Sequence, residues 1–308
     1  MMRIDQARDV LPRIQGICRA DWRRPIWSIR FHQTVIEPYF GWSEATINHK
    51  TFTSDGKIVN MSNSKENIFK RLHSVLFRPM PLDDFKSYDE YWAKRGFHEP
   101  SRHRAEIISE YIDKGSTILD IGCGDGTVLD YLSKNSSPKD LVGVDISKKA
   151  VEHTQKRGYN AYQMDASSDD FEKFLENQSF DYIIITEVLE HIQNPEDVIQ
   201  VCKGHVNKNL FVSIPNTGFF IHRLRLLFGR APLVVIQVHV KEHIRFWTHN
   251  DFLYWCGYLG FSVKNYRVSA SFCPFGIDLG TVWPSLFGEQ IIYVLKQSDG
   301  TETNSPDS

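Results

Sequence analysis

An α/β fold of the doubly wound kind, a mostly parallel sheet with helices on both faces, is predicted by three observations. Short apolar runs alternate with helical patterns from about residue 100 onward, which is how βαβ units read in a sequence. A glycine-rich turn, "IGCGDG", joins the first apolar run to a helix. Acids close later runs: Asp145 in "VGVDIS", Asp165 in "MDA" and Glu187 after "DYIIIT".

The elements follow in order. "RHRAEIISEYI" reads as a helix, "TILDIG" as a buried strand and "TVLDYLSK" as the helix after the glycine turn. Then come "LVGVDI", the helix "KKAVEHTQKRG", "YNAYQ", "DYIIIT", the helix "PEDVIQVCKG" led by Pro195, and "NLFVSI". Five strands are legible to this point. "THNDFLYWCGYLG" predicts a helix capped by Thr248, followed by the strands "FSVKNYRV" and "QIIYVLK".

Four segments are expected. Residues 1–60, where nearly every basic residue is arginine and no period is sustained, read as an appended segment. Residues 61–100 read as a helical cover that begins with an amphipathic stripe of Ile68, Leu72, Val75 and Leu76. Residues 101–297 form the main domain, and 298–308 a disordered tail.

Composition excludes several classes. The chain has 308 residues, 41% of them hydrophobic, enough for a sizeable core. The longest apolar stretches, such as "APLVVIQVHV", fall short of the roughly 18 residues of a membrane span, and no signal-peptide pattern opens the chain. A cytoplasmic protein is expected. Five scattered cysteines without a CxxC pair argue against disulfides and a thiolate zinc site. A net charge of −2 gives no reason to expect nucleic-acid binding, so a small molecule or a protein is the expected partner.

The glycines carry the chemistry. Gly122, Gly124 and Gly126 allow backbone to approach a ligand, but they are not spaced as GxGxxG, and Asp120 and Asp125 make a poor cradle for a pyrophosphate. An NAD-dependent oxidoreductase is therefore disfavoured. The acids suit a ligand with a positive charge. About twenty residues on, Asp145 with Ile146 after it is placed to accept hydrogen bonds from ribose hydroxyls, and Asp165 to accept from an adenine amino group, with the neighbouring Ala166 backbone reading a ring nitrogen. Cys123 is read as a packing residue within the loop, since no base is placed beside it.

The ordered set "ILDIGCGDG", "VGVDIS", "MDA" and "FDYIIITEVLEH" resembles the class I S-adenosylmethionine-dependent methyltransferases over roughly residues 100 to 270. Within them, "IPNTGFFIHRLRLLFGRAPL" followed by "HIRFWTHNDF" is similar to the MetW-like group, among the type 11 methyltransferases. The resemblance implies a seven-stranded Rossmann-like sheet whose last strand, "QIIYVLK", runs antiparallel. It also implies that S-adenosylmethionine is the cofactor. Asp120 stands at the loop, Gly122, Cys123 and Gly124 would line the methionine moiety with their backbone, Asp145 and Ile146 the ribose, Asp165 and Ala166 the adenine, and Glu187 the methyl end.

Two long connections, 215–247 and 269–289, are expected to cover the methyl group. The first carries Arg223, Arg225 and Arg230, which either receive an anionic substrate or form a partner-binding or solvated basic face; the second supplies aromatic walls. His191, His239 and His243 are the candidate general bases. In "TEVLEHI", Glu187, Glu190 and His191 fall at i, i+3 and i+4, one face of a helix. Some class I enzymes, such as small-RNA 2′-O-methyltransferases and some ubiquinone O-methyltransferases, bind a divalent ion with this spacing. Glu187, Glu190, His191 and His243 are thus a candidate site for Mg2+ or Mn2+, set against a reading in which the motif only braces the helix.

The function expected is O-methylation of a small polar, sugar-like or glycan-related acceptor. The alternative is a MetW-like cofactor-binding partner of an acyltransferase in methionine biosynthesis. A homodimer is compatible with either.

Overall fold

The computed structural model describes residues 70, 73–97, 102–234, 236, 238–273 and 276–298. The expectations for residues 1–60, for Ile68 and Leu72 of the amphipathic stripe, and for all but the start of the tail lie outside these residues, while Val75 and Leu76 of that stripe are helical and buried. Seven strands form one sheet: β1 (Thr117–Ile121), β2 (Asp140–Asp145), β3 (Asn160–Gln163), β4 (Phe180–Thr186), β5 (Val206–Pro215), β6 (Phe261–Ser271) and β7 (Gly288–Gln297). Their order is β3-β2-β1-β4-β5-β7-β6. β1 to β5 pair in parallel, and β7 lies antiparallel between β5 and β6, as the resemblance implied.

The central strands carry apolar residues on both faces because helices cover both. Leu119, Ile183 and Ile185 face one core with Val198, Ile199 and Phe252. Ile118, Tyr182 and Ile184 face the other with Ile107 and Ile108. The helices are α1 (Tyr88–Arg95), α2 (His103–Ser109), α3 (Thr127–Asn135), α4 (Lys148–Lys156), α5 (Asp169–Leu175), α6 (Pro195–Lys203), α7 (Phe220–Leu227), α8 (His249–Tyr258), and the single turns α9 (Leu279–Val282) and α10 (Pro284–Phe287). Thr248 caps α8 as predicted, its side chain accepting from the Asp251 N–H. No helix among the described residues is long and apolar enough to cross a membrane.

Three local expectations change. Helix α5 was not foreseen, although its signal is present: the Ser168 side chain accepts from the Phe171 N–H, and Asp169, Asp170 and Glu172 occupy the first turn. Strands β6 and β7 continue their pairing to Ser271↔Gly288, so the second long connection is shorter than 269–289. "TEVLEHI" does not form a helix that carries three ligands on one face. Glu187 adopts a left-handed φ of 55°, and only Leu189–His191 make a 3₁₀ turn. The backbone leaves the helical region at Glu187, whose carboxylate is bonded to Ser213 and Gln290.

Candidate active site

At the carboxyl ends of β1, β2 and β4, where ligands enter doubly wound sheets, lies a cavity of about 660 Å³. Its floor is the glycine turn. Gly122 has φ 72°, and a Cβ there would sit 2.3 Å from Val188 Cγ2; Gly124 has φ 54° and would meet the Trp92 ring at 3.0 Å. Both positions exclude a side chain. The turn's N–H groups are used internally: those of Gly122 and Cys123 donate to the Val144 carbonyl, and that of Gly124 to Asp145 Oδ2 at 2.9 Å. Amides already engaged in this way cannot cradle a phosphate, in agreement with the reading of the loop acids. The Cys123 thiol is buried with Leu129, Val151 and Ala161, and burial pushes its pKa well up. Its side chain is packing.

Asp145 ends β2 with both carboxylate oxygens engaged, Oδ1 by the Ser147 N–H at 2.8 Å and Oδ2 by Gly124. Burial raises its pKa against these bonds. Ile146 beside it exposes 45% of its surface, unusual for an isoleucine and open to the cavity. Asp165 and Ala166 line the cavity as well, and Asp165 Oδ1 accepts from the Ser167 N–H. Asp120 is 1% exposed, and neither of its carboxylate oxygens has a partner among the described residues. Burial and then the neighbouring Asp145 push its pKa far above the carboxylate range, while Arg104 opposes them.

Glu187 turns toward the sheet. Its Oε1 accepts from the Ser213 hydroxyl at 2.8 Å and its Oε2 from the Gln290 amide at 2.9 Å. Strain of this kind at a non-glycine residue collects at functional sites. Glu190 is 1% exposed, and neither of its carboxylate oxygens has a hydrogen-bond partner among the described residues. Burial, and then the Glu187 charge, raise its pKa well above normal.

The stretch 242–245 is stitched to this turn: the Ile244 and Arg245 N–H groups donate to the Glu190 carbonyl, and His191 Nδ1 lies 2.5 Å from the Glu242 carbonyl. A carbonyl can only accept, so Nδ1 carries the proton and Nε2 keeps its lone pair. That Nε2 is 3.9 Å from Glu190 Oε1. Burial lowers the pKa of His191, and holds that of His243 down to about 3.

Ligand atoms of Glu190, His191 and His243 all lie within 4.8 Å of one another. Three of the four expected metal-site residues therefore meet, while Glu187 is bonded elsewhere. His239 is not part of the lining; its Nδ1 accepts from the Lys241 N–H and caps the turn Val240–Glu242. The arginines of the first connection do not reach the cavity either. Arg225 is buried and donates to the carbonyls of Val75, Leu76, Arg78 and Ala231, and Arg223 donates to those of Gly218 and Ser285. Their work is to hold segments of chain together, and the anionic-substrate reading of this stretch loses its basis.

Sequence reading missed Tyr88, Tyr91, Trp92 and Arg95, which α1 brings over the cavity, and Arg104 from α2. The aromatic spacing of "YDEYW" at i, i+3 and i+4 was the available signal.

This sheet order, the glycine turn and the acid that ends β2 define the class I S-adenosylmethionine-dependent methyltransferases. Within that class the chain belongs to the MetW family: the family model described as "Methionine biosynthesis protein MetW" matches residues 102–295. Similar curated proteins include the ubiquinone biosynthesis O-methyltransferase of Actinobacillus pleuropneumoniae serotype 5b (strain L20), 26% identical over 191 residues, 57% of this chain and 81% of that one. The protein of the same name from Pasteurella multocida (strain Pm70) is 24% identical over 196 residues, 57% of this chain and 80% of its own. Among solved structures, a chain from the complex between the Haloferax volcanii Trm112 methyltransferase activator and a methyltransferase aligns with a TM-score of 0.51 at 14% identity, covering 70% of this chain and 100% of that one. That likeness concerns the fold.

Proposed function

We propose that the chain transfers the methyl group of S-adenosylmethionine to a hydroxyl oxygen of a small polar or sugar-like acceptor in the cytoplasm. The observation that carries the reading is the cavity itself, with an acid-lined, phosphate-excluding glycine turn at one end and the Glu190, His191 and His243 cluster at the other. In this reading Asp145 accepts from the ribose hydroxyls, each oxygen keeping a lone pair beyond its backbone bond, with Ile146 beside them. Asp165 and Ala166 read the adenine. The backbone of Gly122, Cys123 and Gly124 and the carboxyl of Asp120 face the methionine moiety, and Glu187 stands at the methyl end. The names of the curated relatives, O-methyltransferases of ubiquinone biosynthesis, support oxygen as the atom methylated.

Methyl transfer from a sulfonium is an in-line displacement, so the protein's contribution is mainly alignment and exclusion of water. The acceptor hydroxyl must lose its proton as the bond to carbon forms. His191 is the group suited to take it, because burial keeps the ring neutral and its Nδ1–H bond to Glu242 leaves Nε2 as the basic atom. His243, harder to protonate, shapes the pocket. The orphaned carboxylate of Glu190 with two imidazoles also fits a divalent cation, Mg2+ or Mn2+, held by Glu190, His191 and His243. Such an ion supplies acidification of a bound hydroxyl.

The test is release of S-adenosylhomocysteine in a screen of hydroxylated acceptors, repeated after exhaustive chelation and with Mg2+ or Mn2+ restored. Activity unaffected by either treatment removes the cation and leaves His191 as base. Cofactor binding with no turnover on any acceptor, together with capture of an acyltransferase, would replace this reading by a MetW-like partner role.

A further inference from the structure

We propose that Asp89 is a positioning residue that couples donor binding to closure of the acceptor half of the cavity through helix α1; the inference rests on the donor reading above. Helix α1 touches both halves. Asp89 and Trp92, at i and i+3, face the donor side. Asp89 Oδ1 accepts from the Ser147 hydroxyl at 2.6 Å and from the Lys149 N–H at 3.1 Å. Ser147 in turn donates its own N–H to Asp145 Oδ1 at 2.8 Å. Trp92 is buried over Gly124, whose N–H holds the other oxygen of Asp145. A ligand that engages Asp145 therefore acts on the two anchors of α1 at once.

Tyr88 and Tyr91, at i and i+3 on the neighbouring stripe, face the acceptor side, while the Arg95 guanidinium lies over the Trp92 ring. Both tyrosines line the cavity, and the Tyr88 ring stands edge-on to His191 with centroids 6.1 Å apart and planes at 84°. Moving α1 moves this wall. The far end of the segment is tied to the other cover: the Asp83 N–H donates to Val238, the Val240 N–H donates to Pro81, and Lys241 pairs with Asp84. The stretches 81–95 and 238–243 thus travel together.

Without the Asp89 anchor the donor site keeps its own bonds, because both partners of Asp145 are backbone N–H groups. What is lost is the transmission. The acceptor wall then no longer responds to whether the donor is present, and order of binding, donor first, disappears with it.

The experiment is hydrogen exchange of the amides in residues 88–95 with and without saturating S-adenosylhomocysteine, with its affinity measured in parallel by calorimetry. In the wild type the ligand slows exchange of α1 by about tenfold, as expected when a local opening is suppressed. Asp89→Ala binds the ligand within about threefold of wild type but shows no such slowing, and Asp89→Asn, whose carbonyl oxygen still accepts from Ser147, restores it. Equal protection in Asp89→Ala, or wild-type α1 that does not respond to bound ligand, overturns the inference. Failure of the wild type to bind S-adenosylhomocysteine at all would be a failure of the donor reading instead.

Discussion

Two acids of the cavity, Asp145 and Glu190, are held by different means. Asp145, at the end of a strand, is held by two backbone N–H groups that the βα turns supply. Glu190, in a 3₁₀ turn, has neither carboxylate oxygen hydrogen-bonded among the described residues, and the stretch 242–245, which carries His243, is bonded to the Glu190 backbone and to His191. Fixed strand-end geometry suits a cofactor that is always the same. A buried carboxyl without a hydrogen-bond partner among the described residues, set beside two imidazoles from separate connections, calls for an explanation, and the proposed reading assigns it to the acceptor side.

The first way to break this comparison is Asp145→Ala. It leaves the Gly124 and Ser147 N–H groups unpaired, at about 1–3 kcal/mol each, and removes the group proposed to accept from the ribose. Calorimetry with S-adenosylhomocysteine should show affinity lower by about a hundredfold or more; unchanged affinity would remove Asp145 from the donor site. Glu190→Gln keeps the shape and removes the carboxyl group. It should leave donor affinity within about threefold and reduce turnover on an identified acceptor by about a hundredfold, and the reverse pattern would exchange the roles of the two ends.

The first connection also buries a histidine, and acid should expose it. His222 on α7 is fully buried with both ring nitrogens unpartnered among the described residues, and burial, then Arg225, hold its pKa down to about 3 against 6.5. The unfolded chain thus binds a proton that the folded chain refuses. The stability at stake is fully present above about pH 6.5 and falls with pH toward 3, by up to about 1.4 kcal/mol per unit. Relative to wild type, His222→Leu should gain about 2 kcal/mol between pH 7 and pH 5 in denaturant melts; parallel pH profiles would contradict this. The smallest effect belongs to Arg230, exposed and outside the cavity lining. Arg230→Ala should change acceptor KM by less than about twofold and stability by less than about 0.5 kcal/mol.

Legibility divided along the same line. "TILDIG", "VGVDIS" and "DYIIIT" announced strands and their terminal acids, because apolar runs and glycine turns are local properties and the donor end is made of little else. The acceptor end is made of Tyr88, Glu190, His191, Glu242 and His243, drawn from three stretches of chain. Their meeting depends on contacts such as His191 to the Glu242 carbonyl, 51 residues away, which no local pattern contains. The helical spacing of "TEVLEHI" misled for a related reason. It assumes continuous helix, and the left-handed φ of Glu187 sends that carboxylate to Ser213 and Gln290 instead. Arg225 looked like a substrate contact by charge alone, whereas its guanidinium closes a ring of backbone carbonyls.

The division of the cavity is tested most directly by a crystal structure of the chain with S-adenosylhomocysteine. Density for the adenosine should lie between Asp145–Ile146 and Asp165–Ala166, and for the amino-acid end on the turn Gly122–Gly124. The sulfur should face the space bounded by Tyr88, Glu190 and His191. A ligand in the opposite orientation, or one whose sulfur is walled off from Glu190 and His191, would contradict the account.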